Sequence, residues 1–259
     1  MTNSRAVEAV HILNFRDYGG YQARSGRVVT GRLFRSAELA AAAPEDWRSI
    51  LQLGISAIVD LRGVSERERA PWRHSPGFPV AVICSPGETT RALHVSALES
   101  ALDAGAARRN MIERYAETPF RPLLVQVYRG YFDLLLESEG GTLVHCSAGK
   151  DRTGILVALL QYALGVHHDD IVAEYLLTNA VNDIEERIAA WRRELEMRFG
   201  AGISEEAVRV VSCVAPEFLE SSFCSIRDRF GTIDNYLEQV LGMDDQRRRL
   251  LEQRLLVKG

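Results

Sequence analysis

Residues 145–154 read HCSAGKDRTG, and two of them carry the chemistry. Cys146 and Arg152 are separated by five residues, with Gly149 between them and Thr153 immediately after. A nucleophile and a permanent cation bent into one loop make a cradle for a tetrahedral dianion. A free thiol, with a pKa of about 8.5, is mostly protonated near neutrality. A helix N-terminus and a nearby guanidinium favour the thiolate, which is the attacking form. The planar fork of Arg152 can hold two phosphate oxygens at once, which a lysine cannot do. Backbone N–H groups of Ser147, Ala148, Gly149, Lys150 and the residues after them can complete the anion site. Gly149 allows close approach or positive φ, Thr153 can donate a hydrogen bond to the Cys146 sulfur, and His145 can orient the loop. The predicted reaction is attack of Cys146 on phosphorus, a phosphocysteine intermediate, and its release by water. That route needs no metal and no other cofactor.

Such a loop needs a strand before it and a helix after it. Gly140-Gly141 reads as a turn, Thr142-Leu143-Val144 as a short buried strand, and Ile155 to Leu164 as an apolar helix ending at Gly165. That order points the positive end of a helix at the loop's centre. Elsewhere, the first 84 residues alternate short strands and turns with one helix of about ten residues, marked by Pro44 at its start and Gly54 just past its end. Val80 to Cys84 reads as a strand, residues 89–138 as mostly helical with breaks at Gly105 and Thr118-Pro119, and residues 169–255 as almost wholly helical. The predicted fold class is α/β: a central, mostly parallel sheet flanked by helices, with a helical lid insertion at 85–118 in a single domain spanning 1–259.

The spacing Cys-x5-Arg followed by Thr resembles the protein tyrosine phosphatase signature. Lys150-Asp151 inside it is similar to the atypical bacterial tyrosine phosphatases of the IphP type, a family with mycobacterial members. Asn14 to Gly20, Gly31 to Ser36, Ile58 to Arg62 with Glu66, Glu68 and Pro71, Glu174 to Asn179, and Tyr236 to Gly242 resemble further blocks of that family. The resemblance is weakest at 85–118 and 185–215. It implies a protein tyrosine or dual-specificity phosphatase that also accepts phosphoinositides.

The leaving group needs a proton. The wider superfamily supplies it from an Asp on a separate loop within a Trp-Pro-Asp string. The nearest string here, Ala70-Pro71-Trp72-Arg73, lacks the acid. Asp151 is the natural substitute, since a carboxyl beside a bound dianion is pushed towards its neutral form. A purely structural Asp151 that holds Arg152 is the alternative. Asp60 is the second candidate, at the C-terminal edge of the run Ile55 to Val59, where ligands gather in α/β sheets. It could equally cap the following turn. Lys150 attracts further phosphate, stabilises the loop, or stays on the solvated surface.

A net charge of −4 gives no electrostatic case for nucleic acid. The predicted partner is a phosphorylated protein or a phosphoinositide, the latter through transient contact with a membrane surface. A non-catalytic phosphate-binding or phosphoinositide-binding adaptor is the alternative. Cys84, Cys146, Cys213 and Cys224 show no paired or metal spacing, which suits a reducing compartment. Cys84 reads as a buried core residue, with a protective disulfide to Cys146 as the less favoured option. Met1 to Asp17 lacks the apolar core of a signal peptide, so the expected location is cytoplasmic, with export by another route left open. In His167-His168-Asp169-Asp170, Asp169 or Asp170 reads as a helix cap rather than a metal ligand. Arg91, Arg108, Arg109 and Arg114 of the lid read as a solvated face paired with Glu99, Glu113 and Glu117, with contact to a polyphosphorylated headgroup as the alternative.

Overall fold

In a computed structural model of the chain, Val7 and residues 11–72, 80–90, 103–180, 184–199 and 204–258 are described. Five strands form the central sheet: β1 (Arg16–Asp17), β4 (Leu33–Ser36), β7 (Gly141–His145), β5 (Ile55–Asp60) and β6 (Ala81–Cys84), in that spatial order. All its pairings are parallel except β1 with β4. A buried parallel sheet must cover both faces, and alternate residues show it doing so. Leu33, Val59 and Val144 face the larger core, while Phe34, Ile58 and Leu143 face the smaller one.

The helices that cover the sheet follow from local signals. Helix α1 (Pro44–Gln52) starts on Pro44, and Gly54 beyond it takes φ 68°. Its Trp47 and Ile50 fill the smaller core. Helix α2 (Val64–Arg69) makes a second helix in the first 84 residues, where one was expected. Its N-terminus is closed by the Glu66 carboxylate, which accepts from the Gly63 amide at 2.9 Å. On the larger face lie α3 (Ala104–Glu117), α4 (Pro122–Glu137) and α5 (Asp151–Ala163). Helix α5 is buried on nearly every side, which explains why the sequence shows no polar stripe there.

Helices α6 (His168–Leu176), α7 (Ile184–Phe199), α8 (Glu205–Ser212), α9 (Pro216–Phe230), α10 (Ile233–Gln239) and α11 (Asp245–Leu255) complete the C-terminal half. The cap of α6 is His167, whose Nδ1 accepts from the Asp169 amide at 3.3 Å; Asp169 and Asp170 occupy the first turn instead of the cap position. A second, antiparallel sheet joins β2 (Gln22–Ala23), β3 (Gly26–Val28) and β8 (Leu256–Val257), the last directly after α11.

The expected lid at 85–118 lies partly outside the described residues. What is described there comprises the turns after β6 and α3, whose Met111 and Tyr115 belong to the larger core. Arg108 pairs with Glu217 and Arg109 with Asp103, not with Glu113 or Glu117; Arg91 and Glu99 lie outside the described residues. Cys84 is exposed, not buried, and all four cysteines are free. It lies opposite Asp60, which lies opposite His145. Two strand spacings of about 4.8 Å therefore separate Cys84 from the residue before Cys146.

Candidate active site

Cys146 follows directly on β7, at the C-terminal edge of the parallel strands, and helix α5 begins at Asp151. The helix therefore starts four residues earlier than its apolar run suggests, and Asp151, Arg152 and Thr153 form its first turn. The loop between them is held from behind. Gly149 has φ 64°, and a Cβ there would lie 2.2 Å from the Ser36 carbonyl oxygen. The Gly149 carbonyl accepts from Asn14 Nδ2 at 2.8 Å and from Arg35 Nη2 at 2.7 Å. Glu174 of α6 joins this support, accepting from Arg16 Nε at 2.8 Å and Arg35 Nη1 at 2.6 Å. All three charged side chains are fully buried. Burial and the neighbouring Arg35 pull Arg16 down to about 10. Burial disfavours the Glu174 charge, but the two guanidiniums hold its carboxyl below the usual range.

Arg152 is pinned by Glu66. Nη1 donates to Oε2 at 2.6 Å and Nη2 to Oε1 at 2.7 Å. Nη1 also reaches the Leu61 carbonyl at 3.0 Å and Thr89 Oγ1 at 2.9 Å. Ser147 Oγ donates to Glu66 Oε1 at 2.6 Å, tying the loop to the same carboxylate. Burial opposes the Glu66 charge, yet Arg152 and Ser147 bring its pKa down to about 2. Burial also opposes the guanidinium, and the Glu66 bridge with the neighbouring Cys146 outweighs it, raising Arg152 further. None of these bonds uses Arg152 Nε.

Asp151 Oδ1 accepts from Lys150 Nζ and from Tyr115 Oη, each at 2.7 Å. Burial favours its neutral form, but Lys150 and Arg114 reverse that and hold the carboxyl below its ordinary range. The protein alone thus acts against the upward push expected from a bound dianion. Lys150 is buried in this ion pair and is not a surface lysine.

Asp60 has a different setting. Its Oδ1 accepts from the Arg62 amide and Nε, both at 3.0 Å, and its Oδ2 from Arg62 Nη2 at 2.9 Å and Trp72 Nε1 at 3.1 Å. Burial disfavours its charge, but His145 and Arg62 hold its pKa down to about 2. His145 is fully buried, with Nδ1 3.4 Å from the Cys146 carbonyl and Nε2 3.6 Å from Asp60 Oδ2. Burial drives the imidazole down to about 4, so it is neutral at physiological pH. Thr153 Oγ1 is buried without a hydrogen-bond partner, so the expected bond to the Cys146 sulfur is not formed.

A sequence profile described as "Tyrosine phosphatase family" matches residues 7–257, nearly the whole chain. The chain belongs to the tyrosine phosphatase family. Among its relatives, a protein of Cupriavidus necator named as a tyrosine-protein phosphatase is 34% identical over 241 residues, covering 90% of this chain and 83% of the relative. The triple specificity protein phosphatase PtpB of Mycobacterium tuberculosis is 30% identical over 254 residues, covering 86% of this chain and 90% of that protein. Two solved structures are also similar. The core catalytic domain of the PP-IP phosphatase SIW14 of S. cerevisiae covers 76% of this chain and 99% of its own at 13% identity and TM-score 0.35. TpbA of P. aeruginosa in complex with pTyr covers 75% of this chain and 96% of its own at 14% identity and TM-score 0.32.

The phosphatase brings Cys146, Ser147, Lys150, Asp151 and Arg152 together on one loop and helix turn, with Asp60 and His145 beneath it. Sequence reasoning missed three partners. Glu66 was visible within a family block, but nothing in its spacing showed that it meets Arg152. Thr89 and Tyr115 lie far from the signature in sequence and carry no local signal. Glu174 with Arg16 and Arg35 was visible as family blocks, but nothing in their spacing showed that they meet.

Proposed function

We propose that this phosphatase transfers a phosphoryl group from a phosphomonoester to Cys146 and then to water, with Arg152 clamping the phosphate and Asp151 as general acid. The observation that carries this reading is the fixed orientation of Arg152. Glu66 takes its Nη1–Nη2 edge, which leaves the Nε edge to meet the equatorial oxygens of the transferring group. Backbone amides from Ser147 to Arg152 are the remaining donors. As the ester bond breaks, Asp151 protonates the leaving oxygen. In the second step it takes a proton from the attacking water. Asp60 is the less suited acid, because four donors from Arg62 and Trp72 already occupy both of its oxygens. The whole span 1–259 is taken as one catalytic domain.

For substrates, the reading is a phosphotyrosine or dual-specificity protein phosphatase that also accepts phosphoinositides. The similarity to a triple specificity phosphatase supports it. No helix among the described residues is long and apolar enough to cross a membrane. Lipid substrates would be met by transient contact with a membrane surface. The test is phosphate release on one panel: phosphotyrosine, phosphoserine and phosphothreonine peptides beside short-chain phosphoinositides, in reducing buffer. Turnover of phosphotyrosine and at least one other class is expected. Strict confinement to one class contradicts the broad reading.

A further inference from the structure

The two donors on Asp151 both fall on Oδ1, and one of them is the end of a buried chain. Tyr115 Oη donates to Oδ1 at 2.7 Å, and Tyr175 Oη lies 2.7 Å from Tyr115 Oη. Tyr115 has one hydroxyl proton, and it is engaged in the bond to the carboxylate, so Tyr175 must be the donor to Tyr115. Both rings are buried and locked. They meet edge-on with centroids 6.3 Å apart, and Tyr115 packs on Phe218 at 5.7 Å. Ser222 Oγ donates to the Tyr115 carbonyl at 2.7 Å. Gly154 makes room for the second ring, because a Cβ there would lie 2.8 Å from Tyr175 Cδ2. Burial, with the Asp151 charge next, raises both phenols well above their ordinary range, so they act as hydrogen-bond donors and not as proton sources.

We infer that Tyr115 is the positioning residue for the general acid: with Lys150 it occupies Oδ1 of Asp151, so Oδ2 carries the transferred proton, and Tyr175 fixes the direction of the Tyr115 hydroxyl. This rests on the reading of Asp151 as acid. In the first step the Sγ–P bond forms and the P–O ester bond breaks. The Oδ2 proton passes to the ester oxygen, and Asp151 becomes a carboxylate. The bonds on Oδ1 are stronger to that charged form, so they assist the proton's departure. In the second step water attacks phosphorus, its proton goes to Oδ2, and the thiolate leaves. The groups facing Asp151 are Lys150 beside it, Arg152 on its own helix, Arg114 and Tyr115 on α3, and Tyr175 on α6, with Glu217 of α9 towards Tyr175.

The test is the pH profile of kcat for Tyr115→Phe and Tyr175→Phe on phenyl phosphate and on the activated p-nitrophenyl phosphate. Tyr115→Phe keeps the ring and removes one donor to the carboxylate. Acid catalysis supplies about 10²–10⁴-fold, and a loss on the order of tenfold is expected on phenyl phosphate, with little loss on the activated ester and little change in KM. The basic limb of the profile moves to higher pH, because the carboxyl holds its proton longer without that donor. Tyr175→Phe moves it the same way by less, and serves alone if the first variant does not fold. An unmoved limb with equal losses on both esters overturns the inference. Asp151→Asn separates the two claims. Loss of the basic limb in Asp151→Asn while Tyr115→Phe leaves it unmoved refutes the role of Tyr115 alone. A wild-type limb in Asp151→Asn refutes the acid assignment itself.

Discussion

In the proposed mechanism Arg152 can clamp phosphate in only one orientation, and Glu66 fixes the guanidinium. Two charge-assisted bonds hold the guanidinium plane before any substrate arrives. Misplacing such a clamp by about 1 Å can cost about 10²-fold. Glu66→Gln keeps the shape and loses the charge; it is expected to lower kcat/KM by about 10- to 100-fold, measured as phosphate release from a phosphotyrosine peptide. A value within twofold of wild type would make the bridge incidental. At the same scale, Asp151→Asn should slow phenyl phosphate far more than p-nitrophenyl phosphate. That Cys146, Asp151 and Arg152 come together was legible, because all three lie on one short loop and helix turn. Glu66 and Tyr115 were not, because their partners come from distant segments and a single carboxylate or phenol has no pattern.

The loop is shaped by elements on three sides. Strand β4 presses against Gly149, α6 brings Glu174 behind it, and α3 brings Tyr115 to its flank. Gly149→Ala meets two obstacles, a positive φ and a backbone oxygen 2.2 Å from the new Cβ. Strain of this kind costs about 1–3 kcal/mol before any clash is relieved. The variant is expected to melt at a lower temperature and to lose most of its activity; a wild-type melting curve would contradict this backbone role. Removing one partner of the buried Arg16–Glu174–Arg35 group, as in Glu174→Ala, strands two buried cations and should cost about 3–5 kcal/mol by denaturant unfolding. The strand, loop and helix around the signature were legible from apolar runs and glycines. The start of α5 was not, because Asp151, Arg152 and Thr153 look like loop until the buried helix below is seen.

Across the whole molecule, several buried ionisable groups push stability in one direction with pH. His145 titrates near 4 when folded and near 6.5 when free, so the unfolded chain binds more protons between those values and stability falls as pH drops through that window. Glu66 and Asp60 have folded pKa values of about 2 against ordinary values of 4.5 and 3.8. Their contribution is present above the ordinary values and is lost as pH falls from there towards 2. Urea unfolding is therefore expected to show declining stability from pH 7 to pH 4 and a steeper decline below. A stability that rises on acidification through this range would contradict the buried, neutral His145. The main sheet was legible as a parallel α/β core. The small sheet of β2, β3 and β8 was not, because strands of two or three residues that pair opposite ends of the chain leave no periodic trace.

In the proposed mechanism the Cys146 Sγ is the atom that receives phosphorus. The most direct measurement compares Cys146→Ser with wild type, following phosphate release from a phosphotyrosine peptide and binding of the same peptide. The expected result is no detectable release with binding retained, because the anion site of Arg152 and the loop amides is intact. Release near the wild-type rate would contradict the phosphocysteine mechanism.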